Sequence, residues 1–67
     1  MKKILIIAGS CSNGGAGLQA DIKACAHFCC YSATAVTALT AENTDKIKSI
    51  VSLDPSFVAD QLEMLSA

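Results

Sequence analysis

The side chains best suited to bind or transform a small molecule lie in two segments of the chain. The first, residues 9–21, holds all four glycines of the protein among small and polar residues. The second is shorter and carries Thr40 and Glu42. Glycine leaves backbone N–H groups unhindered and lets a flat ligand approach the main chain, so this pattern favours a small-molecule site. A tight turn that only packs a helix against a sheet is the alternative.

Two nucleotide-binding motifs come close to the glycine-rich segment. A Walker A loop requires Gly-Lys-Ser/Thr after the glycines, because the lysine reaches the outer phosphates, but here Gly17 is followed by Leu18. Residues 15–20 fit the GxGxxA pattern of dinucleotide-binding folds, and Glu42 follows at a distance that suits a ribose-binding acid. However, segment 9–14 separates these glycines from the apolar run before them, whereas that fingerprint directly follows its strand. A dinucleotide-binding module is therefore kept only as an alternative.

A strand–helix–strand unit is expected to position the two segments. The apolar run Ile4 to Ala8 predicts a strand buried on both faces, as in a parallel sheet covered by helices. Residues 16–28 carry an apolar stripe at helical spacing, and residues 31–40, rich in Thr, Val and Ala, predict a second buried strand. The stripe consists of Leu18, Ile22, Cys25 and Cys29, and the expected helix caps are Asn13, Gly14 and Gly15.

The rest of the chain predicts one more strand and one more helix. Residues 46–53 alternate apolar and polar side chains, and the polar connection before them, 41–45, is too short for a parallel crossover. The third strand is therefore expected to run antiparallel to its neighbour or to belong elsewhere. Asp54-Pro55 is typical of a helix start, with Asp as N-cap and Pro in the first helical position. The apolar stripe is Val58, Leu62 and Leu65, and the chain stops without a C-cap, which suggests truncation.

Composition argues against several classes of protein. The net charge is −1 and the five basic residues are all lysines, so there is no basic stripe for a nucleic acid. The apolar run 4–8 is shorter than the core of a secretory signal, and no run approaches a membrane span. We therefore expect a cytoplasmic protein with no membrane partner and no nucleic-acid partner. The four cysteines form no CxxC pair and there is one His, so free thiols are expected rather than a metal site or disulfides.

Three stretches of the chain together resemble a known family. Residues 7–23 read Ile-Ala-Gly-Ser-x-Ser-x-Gly-Gly-Ala-Gly-Leu-Gln-Ala-Asp-Ile-Lys, residues 37–44 read Thr-Ala-Leu-Thr-Ala-Glu-Asn-Thr, and residues 55–62 read Pro-x-Phe-Val-Ala-x-Gln-Leu. The combination resembles the opening of the hydroxymethylpyrimidine and phosphomethylpyrimidine kinases of the ribokinase-like superfamily. The likeness covers nearly the whole chain, and the glycine-rich run combined with the second stretch is specific.

The resemblance implies an α/β fold in which residues 1–67 form the amino-terminal β-α-β-β-α piece of a three-layer sandwich with a mostly parallel sheet. It implies transfer of the ATP γ-phosphoryl group, with Mg²⁺, to 4-amino-5-hydroxymethyl-2-methylpyrimidine and then to its monophosphate in thiamine biosynthesis. The ATP-binding and catalytic half would lie downstream of Ala67, so this partial domain would hold no catalytic residue and no metal ligand. We expect the chain alone to be inactive, and a homodimer is a further expectation for the full-length protein.

The resemblance also assigns roles to particular residues. Pyrimidine binding falls to Gly9 through its backbone, to Asp21 near the start of the first helix, and to Thr40 and Glu42 at the end of the second strand. For Asp21 the alternative is a solvated helix residue. The glycine loop beside the pyrimidine consists of Gly14, Gly15, Ala16 and Gly17.

The chain departs from the family pattern at positions that matter. Glu42 stands where the family usually has Gln, and an ionised Glu can only accept hydrogen bonds, so a ring nitrogen would face a carboxylate unless one partner is protonated. Cys11 replaces a usual Asp, Ser32 a usual Gly, and Cys29 a Gly that would normally end the helix in the left-handed conformation. Two alternatives follow: a pyridoxine or pyridoxal kinase of the same fold, and a non-catalytic remnant.

Overall fold

The computed structural model describes residues 2–66, and within them the predicted strand–helix–strand–strand–helix order is confirmed. The two predicted helices and three predicted strands are all present, although several begin or end at other residues than the sequence suggests. The elements are β1 (Lys3–Cys11), α1 (Gly17–His27), β2 (Tyr31–Glu42), β3 (Ile47–Ser52) and α2 (Pro55–Ser66).

The three strands form one mixed sheet in the order β1-β2-β3. β1 and β2 are parallel and paired from Lys3 opposite Tyr31 to Cys11 opposite Thr40. Their carboxyl ends therefore meet at one edge of the sheet, where α/β proteins bind ligands. β3 pairs antiparallel with the last part of β2, as the short connection predicts.

The turn between β2 and β3 is closed by one side chain. The Asn43 Oδ1 atom accepts the backbone N–H groups of Asp45 at 2.8 Å and Lys46 at 3.0 Å. The Asn43 N–H in turn donates to the Lys46 carbonyl at 3.0 Å. An Asn side chain that replaces backbone partners in this way is typical of tight turns, and it allows the sheet to reverse direction immediately after the tip of β2.

Both parallel strands extend further than the sequence pattern predicts. Residues 9–11 were expected to be loop, yet they continue β1, and β2 continues through Glu42. The pairing shifts between Ala8 and Ser10, where β2 contributes one residue more than β1. After this bulge the two strands pair again, although the residues around it are poor strand formers. The extension carries Cys11 and Glu42 to the same sheet edge.

The packed core lies between α1 and one face of the sheet. Ile6, Leu18 and Cys25 are buried together, with Ala8, Cys30 and Val36 packed around them. The prediction that the first strand is buried on both faces is wrong for the described residues. Ile4, Leu5 and Ile7 are 40%, 49% and 55% exposed. Leu5 and Ile7 lie on the face opposite Ile6, which α1 does not cover, and Ile4 lies near the start of the strand.

The predicted stripes of the two helices are only partly buried. In α1, Leu18 and Cys25 are buried, whereas Ile22 is 38% exposed and Cys29 lies beyond the helix end with φ 56°. The left-handed conformation predicted for the position of Cys29 is thus confirmed. The predicted start of α2 is confirmed too, since the Asp54 Oδ1 atom accepts the Ser56 N–H at 2.9 Å. No residue of α2 is buried within the described part of the chain.

The molecule has the shape of a thin slab. Its Cα radius of gyration is 12.8 Å, whereas a compact domain of this length has about 11 Å. Its accessible surface is 4802 Å², against roughly 4000 Å² for a closed globule of the same mass. Neither helix is long and apolar enough to span a membrane, considering the residues that the structure describes.

Candidate functional site

A tight turn leads from β1 into α1 and is shaped by two glycines. The Gly14 N–H donates to the Cys11 carbonyl at 3.0 Å, and Gly14 has φ 79°. Gly17, the first residue of α1, has φ 58°, and a Cβ atom there would lie 2.5 Å from the Gly9 carbonyl oxygen. Any side chain at position 17 would therefore collide with the main chain of β1. This close approach of loop and strand explains why glycine is required there.

The amino end of α1 carries no side-chain cap. The N-cap residue is Ala16, in an extended conformation, so the prediction that Asn13 or a neighbouring glycine caps the helix is wrong. The turn carries the chain past Asn13 before the helix begins, and Ala16 has no polar side chain to offer. The first N–H groups of α1 are consequently not satisfied by a capping side chain, and they lie beside the end of β1.

A glutamine of α1 fixes the end of β1. Gln19 Oε1 accepts the Cys11 N–H at 2.8 Å, and Gln19 Nε2 donates to the Ser10 hydroxyl at 2.7 Å. The sequence analysis missed the role of Gln19. A clue was available, because Gln19 is a polar residue off the apolar stripe in the first turn of α1, next to the loop that follows β1. Its amide can both donate and accept, as these two contacts require.

The end of β2 is held by a serine from the turn after β1. Ser12 Oγ accepts the Glu42 N–H at 2.8 Å and donates to the Glu42 carbonyl at 2.8 Å. The Thr40 hydroxyl lies 2.7 Å from Glu42 Oε1 and 3.2 Å from the Ser10 carbonyl. Since Thr40 has one hydroxyl proton, we assign it to the nearer and charged acceptor. Both backbone and side chain of Glu42 are thereby positioned.

The Glu42 carboxyl group is stabilised in its ionised form. The hydroxyl of Thr40, and secondarily the thiol of Cys11, lower the pKa of Glu42 below its ordinary value, and partial desolvation opposes them more weakly. Hydrogen bonds to a carboxylate favour its charged state. At neutral pH the end of β2 therefore presents a negative charge next to the buried Cys11.

These elements line a shallow cavity of about 170 Å³ that is open to solvent between the loop and the strand tips. One wall is main chain from β1 and the start of α1, where side chains are small or missing. The opposite wall carries Thr40 and Glu42. The lining residues are Gly9, Ser10, Cys11, Ala16, Gly17, Thr40 and Glu42. A larger depression, of about 400 Å³, lies on the other side of Glu42 and is lined by Ser12, Thr40, Ala41, Glu42, Asn43, Lys46 and Lys48.

The structure brings most of the predicted site residues together. Gly9, Thr40 and Glu42 line the smaller cavity, as do Ala16 and Gly17 of the glycine loop. Gly14 and Gly15 belong to the turn but do not line the cavity. Asp21 is exposed on α1 and also lies outside the lining set. Its role in binding stays a prediction.

Nothing in the described chain fits a bound metal ion. Across residues 2–66, no three His, Cys, Asp or Glu side chains come close enough together to hold one. All four cysteines in this range have free thiols. Lys23, the lysine nearest to the glycine loop in the sequence, donates a hydrogen bond from Nζ to the Gly14 carbonyl at 2.9 Å.

The sequence matches the family described as "Phosphomethylpyrimidine kinase" over residues 12–67. It is 45% identical over 65 residues to the hydroxymethylpyrimidine/phosphomethylpyrimidine kinase of Escherichia coli, covering 94% of this chain and 24% of that protein. It is 46% identical over 61 residues to a chloroplastic thiamine biosynthetic bifunctional enzyme of Arabidopsis thaliana, covering 91% of this chain and 12% of that enzyme. The chain thus spans a quarter or less of the length of these curated relatives.

Solved structures agree with the sequence comparison. A phosphomethylpyrimidine kinase from Clostridium difficile superimposes with a TM-score of 0.92 at 38% identity, over 96% of this chain and 28% of that one. A pyridoxal kinase from Staphylococcus aureus, solved with AMP-PCP and pyridoxal, superimposes with a TM-score of 0.85 at 35% identity, over 97% of this chain and 25% of that one. The fold is therefore the amino-terminal part of a ribokinase-like kinase, and the chain belongs to the phosphomethylpyrimidine kinase family.

Proposed function

We propose that this chain is the pyrimidine-binding part of a hydroxymethylpyrimidine/phosphomethylpyrimidine kinase. The reaction would transfer the γ-phosphoryl group of ATP to 4-amino-5-hydroxymethyl-2-methylpyrimidine and then to its monophosphate, in thiamine biosynthesis. The observation that carries this proposal is the cavity between a side-chain-free wall at Gly9 and Gly17 and a polar wall at Thr40 and Glu42. A flat heterocycle can lie against the first wall while the second reads its edge.

The residues of this chain would bind and orient the substrate. The main chain at Gly9 and Gly17 would form the surface on which the ring lies, and the Glu42 carboxylate would accept a hydrogen bond from the exocyclic amino group. Ser12 and Thr40 hold Glu42 in place through contacts of 2.7 to 2.8 Å. A ring fixed at its amino edge presents its hydroxymethyl group in one direction, and such orientation is a large part of the catalysis of phosphoryl transfer.

ATP and Mg²⁺ enter this proposal through the family and not through residues of the chain. The neighbouring pyridoxal kinases were solved with AMP-PCP or ADP, which supports ATP as the phosphoryl donor. When bound, Mg²⁺ would neutralise charge on the phosphates. We propose that residues 1–67 are part of a larger domain, that the ATP-binding and catalytic residues lie outside them, and that the intact protein works in the cytoplasm, with a homodimer as its proposed assembly.

A pyridoxal kinase is the second candidate, because several solved pyridoxal kinases superimpose with TM-scores of 0.84 to 0.85. Pyridoxal is also a flat heterocycle with a hydroxymethyl group. Pyridoxal has no exocyclic amino group on the ring, so it cannot donate the amino hydrogen bond that Glu42 is proposed to accept. In both candidates the ring would lie on the glycine-lined wall, and the two substrates differ in the group that they present to Glu42.

Phosphorylation assays on the intact protein that carries this chain separate the candidates. We expect the aminopyrimidine to be phosphorylated faster than pyridoxal at equal concentration. Faster turnover of pyridoxal would instead make pyridoxal kinase the preferred function. The 67-residue chain alone is expected to transfer no phosphate from ATP, and measurable transfer would contradict the placement of the catalytic residues elsewhere. Turnover of neither substrate by the intact protein, with binding retained, would favour a non-catalytic remnant.

A further inference from the structure

Three donors next to the Glu42 side of the cavity are already engaged in hydrogen bonds. The Cys11 N–H is used by Gln19, and the Glu42 N–H is used by Ser12. The Thr40 hydroxyl proton points to Glu42. A carboxylate has about four lone-pair sites, so Glu42 keeps acceptor capacity that neither Thr40 nor Cys11 exhausts. The edge of a ligand that faces Glu42 must therefore donate.

A neutral 4-aminopyrimidine does not satisfy this requirement fully. Its amino group donates, but the ring nitrogen beside that group is an acceptor, and its lone pair would face the Glu42 carboxylate. A proton on the ring nitrogen beside the amino group, instead of on the opposite ring nitrogen where a free 4-aminopyrimidine binds it, converts this edge into two parallel N–H donors that share a positive charge. Such an edge has the same fork-like geometry as a guanidinium group, which binds carboxylates through two hydrogen bonds. The proton comes from solvent.

We propose that this site selects the protonated, cationic form of its aminopyrimidine, with Glu42 accepting hydrogen bonds from the amino group and from the adjacent ring N–H. The inference rests on the proposed function and adds the charge state of the substrate to it. It also accounts for the position of Glu42, whose backbone is held from both N–H and carbonyl sides by Ser12 while its carboxylate lines the cavity.

The charged and titratable groups near Glu42 are few. From β1 the Cys11 thiol contacts it. From the β3 side, Lys46 and Lys48 line the larger depression that Glu42 shares. From α1, Lys23 is engaged with the Gly14 carbonyl. α2 packs further along β2, where Gln61 bonds to Val36. Because the Glu42 pKa lies below its ordinary value, Glu42 stays ionised at neutral pH, and the proton that the proposal concerns is on the ligand.

Calorimetric titration of the intact protein with 4-amino-5-hydroxymethyl-2-methylpyrimidine tests this inference. The free ligand's pKa is first measured in the same buffers. Above that pKa, affinity is expected to fall about tenfold for each pH unit, because one proton must be taken up on binding. Glu42→Gln keeps the size of the side chain and adds a donor, so this variant is expected to lose that dependence and to prefer the neutral ligand. Thermal unfolding of both proteins at each pH controls for folding.

The ultraviolet spectrum of the bound ligand provides a second test that does not depend on the Glu42→Gln variant. At one pH unit above the free ligand's pKa, the ultraviolet spectrum of the pyrimidine bound to the natural protein should no longer be that of the neutral form. A neutral spectrum together with an affinity that does not change with pH would overturn the inference while leaving the proposed function intact. Absence of binding at every pH would remove the proposed function, and this inference with it.

Discussion

The two helices of this protein attach to the same sheet by different means. α1 buries Leu18 and Cys25 against it and adds the two hydrogen bonds of Gln19. α2 buries no residue. Its polar link to the sheet is Gln61, whose amide accepts the Val36 N–H and donates to the Val36 carbonyl, both at 2.8 Å. β3 pairs only from Ala38 onward, so Gln61 takes the place that a neighbouring strand would fill at Val36.

This difference shows which part of the chain carries a preformed site. The cavity lies entirely between β1, the start of α1 and the tip of β2, where apolar packing and side-chain hydrogen bonds act together. The other half consists of apolar but exposed elements. Ile47, Ile50 and Val51 of β3 and Phe57 and Met64 of α2 are each more than half exposed. Substitutions on the α1 side should therefore change ligand binding, and substitutions on the α2 side should not.

The largest effect is expected at Gly17. Gly17→Ala places a Cβ atom 2.5 Å from the Gly9 carbonyl oxygen at a residue with φ 58°. Both the clash and the left-handed backbone are unfavourable for alanine, so the free energy of unfolding should fall by about 3 kcal/mol. Chemical denaturation of the intact protein measures this.

Gly15→Ala is the matched control for that experiment. A Cβ atom at position 15 meets only the movable end of the Asn13 side chain, at 3.2 Å, and Gly15 has no positive φ. Its unfolding free energy should change by no more than about 0.5 kcal/mol. Equal losses in the two variants would show that the close approach of Gly17 to β1 is not the cause.

The two glutamines provide the next comparison. Gln19→Leu leaves the half-buried N–H of Cys11 without its partner and should lower the unfolding free energy by about 2 kcal/mol. Gln61→Leu does the same to the Val36 N–H. Amide hydrogen exchange should locate the two effects: faster exchange in residues 10–17 for Gln19→Leu, and faster exchange in α2 for Gln61→Leu. Only the first variant should weaken pyrimidine binding, and a similar loss of affinity in both would remove the distinction between the two halves.

A smaller and opposite effect is expected at the carboxyl end of α1. Cys29 is exposed and has φ 56°, a conformation that glycine adopts without strain. Cys29→Gly should therefore raise the unfolding free energy by about 0.5 to 1 kcal/mol. Cys30→Gly, next to it but not at positive φ, serves as the control and should not stabilise. A Cys29→Gly variant that is less stable than the natural protein would contradict the strain argument.

The smallest effect concerns acid stability. The Ser56 backbone N–H, followed by the Ser56 hydroxyl, lowers the pKa of Asp54 in the folded chain. A carboxyl group with a lowered folded pKa stabilises the fold above its unfolded pKa, and this contribution is lost as the pH falls through the folded value. Asp54→Asn keeps a capping oxygen but no charge, so its melting temperature should fall less steeply on acidification. Melting curves from about pH 7 to about pH 3 check this, with Asp60→Asn as a charge-matched control on α2.

Sequence reasoning reached the fold because local patterns and sheet geometry agree. The period of Leu18 and Cys25 indicated a helix, and Asp54-Pro55 marked the start of α2. The short 41–45 connection excluded a parallel crossover, and of the two alternatives it left for β3, the antiparallel one is observed. The extension of β1 through Cys11 could not be read from its residues. It depends on pairing with β2 and on Gln19, and these contacts are set by the tertiary structure.

The site was predicted through its glycines and through the end of β2, but not through the groups that hold it. Gly17 belongs to a conspicuous cluster of glycines, and the structure shows that no other residue fits its conformation. Ser12 and Gln19 are common polar residues, and their importance comes from one specific arrangement of loop and strands. Asp21 is the opposite case: it belongs to a recognisable sequence motif, yet it does not line the cavity.

Backbone amide spectra of the intact protein, recorded with and without 4-amino-5-hydroxymethyl-2-methylpyrimidine, test the central claim most directly. The account predicts that the ligand shifts the resonances of residues 9–17 and 40–42 and leaves those of β3 after Lys48 and of α2 unchanged. Shifts confined to β3 and α2, or a pattern that is the same in a Glu42→Ala variant, would contradict it.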